Sequence, residues 1–260
     1  MTYPTQRDTL SRVAPWSQFL NLSWPPQLRF FESRTQLLRA FETDGCLAGF
    51  RWGDGVIAAQ LDQSALLQVT AFGVQVMLAT PAGDRDLGVR ALTQTLATIE
   101  PSAISVGEMT FQYLLPLAGP YDAARAESAS RLLQAALPGR SATDWALLVD
   151  GVSERLTAKY QVEFGVLSAE EAGPRLARRV GRMGSQQGFS PMGGDFWRLD
   201  EVPSVALFMD YKWWPTGNVG SVEGVEGVVQ VWDDFAEETE RMATTIYHEL
   251  EEPEHEGVSL

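Results

Sequence analysis

Apolar and polar positions alternate along the chain in a way that divides it into short strands and amphipathic helices. Residues 1–26 keep no period. Pro15, Pro25 and Pro26, with Trp16 and Trp24 among them, predict an extended arm that packs by its aromatics. Residues 27–32 read as a short strand. Ser33 reads as the N-cap of a helix with Leu37, Leu38 and Phe41 on one face, which Asp44-Gly45 ends. The segments CLAGFRW and VIAAQLD flank Gly53-Asp54-Gly55, a hairpin signature. The next run places apolar residues on one parity at Leu67, Val69 and Ala71, and on the other at Val74, Val76 and Leu78. That flip predicts a bulge or a corner at Phe72-Gly73, and Gly73 suits a bulge. Leu87, Ala91, Leu92 and Leu96 then recur at helical spacing, and Pro101 closes the helix.

Residues 104–115 are strand-like, and residues 123–137 are helical with Pro138-Gly139 as the stop. Two strands follow, over 144–150 and 156–167. In the second, Tyr160, Val162, Phe164 and Val166 alternate with Gln161, Glu163 and Gly165. Ser168 and Glu171 have capping-box spacing and open a helix to about Met183, with Gly173-Pro174 as a kink or restart. A loop over 184–202 leads to a strand over 204–213. A glycine-rich loop over 217–227 precedes a last helix over 232–251. Residues 54–137 and 144–251 thus share the order strand, strand, helix, strand, helix. The expected fold class is α+β: two similar ββαβα halves with mainly antiparallel sheets, from an internal duplication. The expected division is an N-terminal arm, strand and helix (1–45), a first half (46–140), a second half (141–251) and an acidic tail (252–260).

Composition narrows function mostly by exclusion. The 260 residues are 45% apolar and 21% charged, ordinary globular values. The net charge of −14 opposes attraction of the whole protein to nucleic acid or anionic lipid. Cys46 is the single cysteine and reads as a small buried hydrophobe rather than a nucleophile. With no internal disulfide possible, a reducing, cytoplasmic setting is expected. His248 and His255 both fall in the last 13 residues, so the body of the chain cannot build a Ser-His-Asp or Cys-His set, nor a zinc site of the usual kind. Lys159 and Lys212 are the only lysines, and neither follows a glycine-rich phosphate loop. No apolar run reaches membrane-spanning length and the start lacks a signal-peptide core. No cofactor or metal is expected.

Charge is concentrated rather than spread. Residues 221–260 hold twelve acids and one base, Arg241, so this segment carries −11 of the −14. In its helix Trp232, Phe235, Thr239, Met242, Ile246 and Leu250 form a docking stripe. Asp233, Asp234, Glu237, Glu238 and Glu240 are then placed to face outward. Asp233 and Asp234 fall in its first turn, and Glu249, Glu251 and Glu252 in its last, where they oppose the helix dipole. Such a surface suits a basic protein partner, the alternative being a solvated face. Trp213 and Trp214, before the glycine-rich loop, are candidate partner contacts, as are Phe196 and Trp197. Against this acidity stands a row of Arg175, Arg178, Arg179 and Arg182 on one helix face. It reads as a solvated face, a dock for an acidic element, or a site for nucleic acid or a phosphate ligand. Glu163 and Asp210 are the carboxylates considered for acid–base chemistry, and nothing in the sequence pairs them.

The segments GVIAAQLDQSALLQVTAFGVQVML with DLGVRALTQTL, VPSVALFMDYKW, and WDDFAEETERMATTIYHEL resemble a sporadically distributed bacterial family of two-half α+β proteins of this length. The family pairs an arginine with a tyrosine in its mid-chain strand; here that strand reads ISVGEMTFQYLLPL, with no arginine. The resemblance carries no catalytic residues. It implies an accessory system such as defence or toxin neutralisation. The expected function is therefore a non-catalytic interaction protein with an antitoxin, immunity or assembly role, and the alternative is a nucleic-acid or phosphate binder acting through the arginine face.

Overall fold

The computed structural model describes residues 13–43, 47–61, 65–79, 85–134, 146–176 and 199–251. Cys46, His255, Arg178, Arg179, Arg182, Phe196 and Trp197 lie outside them. The Asp54-Gly55 turn joins β2 (Leu47–Gly53) to β3 (Val56–Leu61) as the sequence anticipates. β4 (Ala65–Thr70) and β5 (Gly73–Leu78) follow, then α2 (Arg85–Ile99), β6 (Ile104–Pro116) and α3 (Tyr121–Gln134). The chain continues through β7 (Ala146–Ser153), β8 (Ala158–Ser168), a helix α4 whose described part is 169–176, β9 (Val205–Pro215), β10 (Ser221–Val222) and α5 (Gly224–Glu251). Ahead of these come β1 (Ser17–Ser23) and α1 (Arg29–Thr43).

All ten strands enter one sheet of order β2-β3-β4-β5-β1-β6-β9-β8-β7, with β10 pairing β6 beside the end of β9. Every pairing is antiparallel. The sheet runs without a break across the expected boundary at residue 140, because β6 pairs with β9 over Met109–Pro116. The fold class is α+β with a large antiparallel sheet.

The two faces of the sheet build two cores. On one, α1, α2 and α5 pack side by side over Leu20, Val76, Phe111, Tyr113, Met209 and Trp213. On the other, Trp16, Phe19, Met77, Leu114 and Phe208 pack together with Ala172 and Leu176 of α4. A strand covered on both sides has no use for period-two alternation, and VIAAQL of β3 is buried at all six positions.

Several expectations are corrected by this arrangement. The supposed arm contains β1, the central strand, which pairs with β5 on one side and β6 on the other. Residues 27–32 are not a strand. Helix α1 begins at Arg29, and Ser33 is buried within it rather than capping it. The parity flip at Phe72-Gly73 is a hairpin, not a bulge: Thr70 pairs with Gly73 and Val69 with Val74. Chain reversal through two residues keeps Leu67, Val69, Val74 and Val76 on one face. The glycine-rich segment is not one loop: Gly217–Gly220 form a 3-10 turn, Ser221–Val222 are β10, and α5 starts at Gly224, where the backbone takes φ +66. Asp233 and Asp234 therefore sit well inside the helix, away from its positive end.

Polar tethers fix the helical layer. The Trp232 indole N–H donates to Gln18 Oε1 of β1 at 3.0 Å, and the Trp213 indole donates to Thr239 Oγ1 of α5 at 2.8 Å. Thr239 in turn donates to the Phe235 carbonyl at 2.6 Å. A buried indole N–H without an acceptor carries its full desolvation penalty. Gln18→Leu is expected to cost about 1–3 kcal/mol, read as a lower urea midpoint with an unchanged slope.

Candidate functional site

The acids of α5 divide between two environments. Asp233 forms an ion pair with Arg85 of α2, whose guanidinium also lies 5.2 Å from the Trp232 ring centroid. Glu238 is buried and accepts from Arg155 at 2.8 Å and Arg241 at 2.7 Å, while Glu237 pairs with Arg155 at 3.1 Å. Asp234 accepts from Gln230 at 2.9 Å. Glu240 is half-buried. Three of the five candidate acids are thus met by arginines of this same chain. Outward of them Glu223, Glu226 and Glu249 are exposed, and among the described residues no base pairs with them. At the C-terminal end Arg131 of α3 donates to the carbonyls of Leu250 at 2.8 Å and Glu249 at 3.4 Å. That supplies the cation which the dipole asks for at this end of α5.

Trp213 is not a surface contact. It is fully buried, edge-on to Phe235 at 5.4 Å and tilted against Tyr160 at 5.0 Å. Trp214 points to the other face and is half-buried. Beneath α5, burial, then the neighbouring Tyr211 and the charge of Glu240, hold the Tyr113 hydroxyl far above its ordinary range.

The opposite face of the sheet carries a buried polar row. Register aligns Ser17 of β1, Gln112 of β6, Asp210 of β9 and Glu163 of β8. The Ser17 hydroxyl donates to Gln112 Oε1 at 2.6 Å, and Lys212 lies 3.8 Å from Asp210. The neighbouring row aligns Thr110, Lys212, Gln161 and Asp150, with Gln161 donating to Asp150 at 2.9 Å. Glu163 and Asp210, which the sequence leaves apart, are therefore direct cross-strand partners.

Arg175 of α4 reaches down to Glu163 at 2.5 Å. The Ser168–Glu171 box forms as spaced: Glu171 accepts the Ser168 amide at 2.9 Å and its hydroxyl at 3.0 Å. The Ser168 amide is the first cause that holds the Glu171 carboxyl below its usual range, so this group stays ionised at neutral pH. Between β8 and α4 opens a pocket of about 420 Å³, lined among others by Glu163, Leu167, Glu170, Glu171, Arg175 and Phe208. Three carboxylates against one guanidinium make its charge negative. Glu163 is committed to Arg175, and Glu171 to its cap. Among the described residues no group of three or more His, Cys, Asp or Glu is placed to hold a metal ion. What this arrangement offers chemically is charge recognition.

Arg175, the described member of the arginine row, lies on the opposite side of the sheet from α5 and is paired with Glu163. Among the described residues the cations from other elements that meet α5 are Arg85, Arg131 and Arg155, none of them signalled by local spacing. No protein-family model matches the chain, and no curated protein matches it. Among the described residues no helix is long and apolar enough to cross a membrane.

Glu238 provides a pH test. Its carboxyl is held below the usual range chiefly by the Arg241 hydrogen bond, so its contribution is full above the ordinary Glu value of about 4.3 and fades as pH falls through the lowered one. Glu238→Gln is expected to destabilise by about 1–2 kcal/mol near pH 7. The gap between variant and parent in urea midpoint should close towards pH 3.

Proposed function

We propose that the protein is a cytoplasmic, non-catalytic interaction protein that captures a basic protein partner on the outward side of α5. The observation that carries this reading is the partition of the helix's charge. Its inner acids are balanced by Arg85, Arg155 and Arg241, while Glu223, Glu226 and Glu249 remain exposed along the outer side. Asp234, which accepts from Gln230, extends that side. A row of like charge steers a complementary partner and sets its orientation more than it adds affinity. The two-half ancestry and the family resemblance belong to the same proposal and would place the protein in a defence, antitoxin, immunity or assembly system. Support for duplication is the order β4-β5-α2-β6-α3 against β7-β8-α4-β9-α5, once the two-residue β10 between β9 and α5 is set aside. The departure is β1, which lies between β5 and β6 and has no counterpart between β8 and β9.

The test is capture from a nuclease-treated lysate of the native host. The expected result is a stoichiometric protein partner whose retention weakens with salt and falls about tenfold or more in Glu223→Lys/Glu226→Lys/Glu249→Lys. A partner released by nuclease, or capture unchanged by the triple reversal, overturns the reading.

A further inference from the structure

The two edges of the sheet are built differently. β2, at one edge, is broken by a register shift between Leu47 and Gly49 and carries Arg51. A bulge and a charge are the usual means by which an edge strand avoids pairing with another chain. β7, at the other edge, has no register shift, and its one charge is the acid Asp150. Its eight residues pair with β8 in unbroken register, from Ala146 opposite Gly165 to Ser153 opposite Ala158. It contains no lysine, arginine or proline. Among the described residues, β8 is its only strand partner. On the helix side the Tyr160 ring rests on Gly151, where an added Cβ would come within 2.2 Å of it. This close contact packs β7 against β8. On the other side Leu148 and Val152 are exposed to 56% and 68%. A long, regular, apolar edge of this kind is a template for an added strand.

The surroundings of that edge specify the charge of what could be added. Asp150 lies between Leu148 and Val152 on the same side, with Glu154 just beyond the strand. Opposite Leu148 stands Glu163, at the mouth of the pocket that Glu170 and Glu171 also line. Among the described residues the nearby cations are Arg175, which is paired with Glu163, Arg155, which is paired with Glu237 and Glu238, and Lys159, opposite Val152. Carboxylates therefore outnumber bases, and Lys159 alone of the bases lacks an ion pair among those described. A second copy of the chain fits poorly. Antiparallel pairing of two β7 strands in the register that sets Leu148 opposite Val152 of the other copy centres on Asp150 and places two Asp150 carboxylates opposite each other, in molecules that each carry −14.

We propose that β7 is a strand-addition site, which takes an extended, basic segment of a partner protein as an eleventh strand. Main-chain hydrogen bonds to β7 hold the segment, its apolar side chains cover Leu148 and Val152, and a basic side chain reaches the Glu163–Glu170–Glu171 pocket. The site lies apart from the outer side of α5 and does not depend on it.

The probe is an end-capped synthetic peptide of alternating lysine and valine, matched in length to β7, with its glutamate–valine counterpart as control. The readouts are affinity and residue-resolved amide exchange on the full chain. The expected result is binding of the lysine peptide at least tenfold tighter than the control, with slowed exchange on alternate amides of Ala146–Ser153. Leu148→Asn/Val152→Ser, at exposed positions, should weaken binding at least tenfold while leaving the fold intact. Slowed exchange confined to α5, with β7 unchanged, overturns the edge proposal and leaves the α5 reading standing. Absence of lysine-peptide binding overturns it as well, and so does a concentration-dependent dimer that protects β7 without peptide. Capture by α5 in the lysate experiment can fail without touching any of these outcomes.

Discussion

The pairing of β1 into the middle of the sheet is the constraint on which the rest depends. β5 and β6 both run antiparallel to β1, so they run parallel to each other. They are joined through α2 and cannot meet until β1 fills the place between them. The strand is fastened on both faces, by Ser17 to Gln112 on one and Gln18 to Trp232 of α5 on the other. Its exit is fixed as well, since the Trp24 and Gln27 amides donate to the carbonyls of Phe72 and Ala71 at 2.9 and 2.8 Å. A segment of seven residues thus joins the β2–β5 meander to everything that follows. β6, thirteen residues long, completes the join by pairing with β1 on one edge and with β9 and β10 on the other.

That centrality explains why some of the fold was legible in the sequence and some was not. Signals carried by neighbours in the chain could be read directly. These are the Asp54-Gly55 turn, the Ser168–Glu171 box, the leucine spacing of α2 and the apolar stripe of α5. β1 could not be read this way, because SQFLNLS is buried on both faces and shows no alternation to separate it from an irregular segment. The start of α5 was hidden by Gly224 and Gly227, whose low propensity is outweighed by packing of Val225, Val228 and Val231 against the core.

The candidate sites were obscured for a related reason. Trp213 looked like an interface residue because a loop follows it, yet cross-strand contact with Tyr160 and the arrival of Phe235 bury it. Glu163 and Asp210 lie far apart in sequence, and only the β8–β9 register makes them partners. Of the arginines that neutralise α5, Arg241 is local, three residues from Glu238, while Arg85 and Arg155 come from α2 and from the turn after β7, at separations where spacing carries no signal. Residue types and charge totals are local properties of a sequence. Which charge meets which depends on strand order.

Strand order also decides where the protein's negative charge acts. Ion pairs cancel charge where burial would make an unpaired group costly: Glu238 beneath Arg155 and Arg241, and Glu163 beneath Arg175. Exposed acids remain on α5, at Glu226 and Glu249, and around β7, at Asp150 and Glu154. At physiological salt a field from such charge falls off over about 8 Å. It can therefore gather a basic chain at short range, but it cannot fix that chain's register. Register requires directional contacts, and an edge strand supplies them in a row of backbone donors and acceptors. Charge on the outer side of α5 and an unguarded edge at β7 thus perform different physical tasks, and a basic partner with an extended segment is the kind of molecule that could use both.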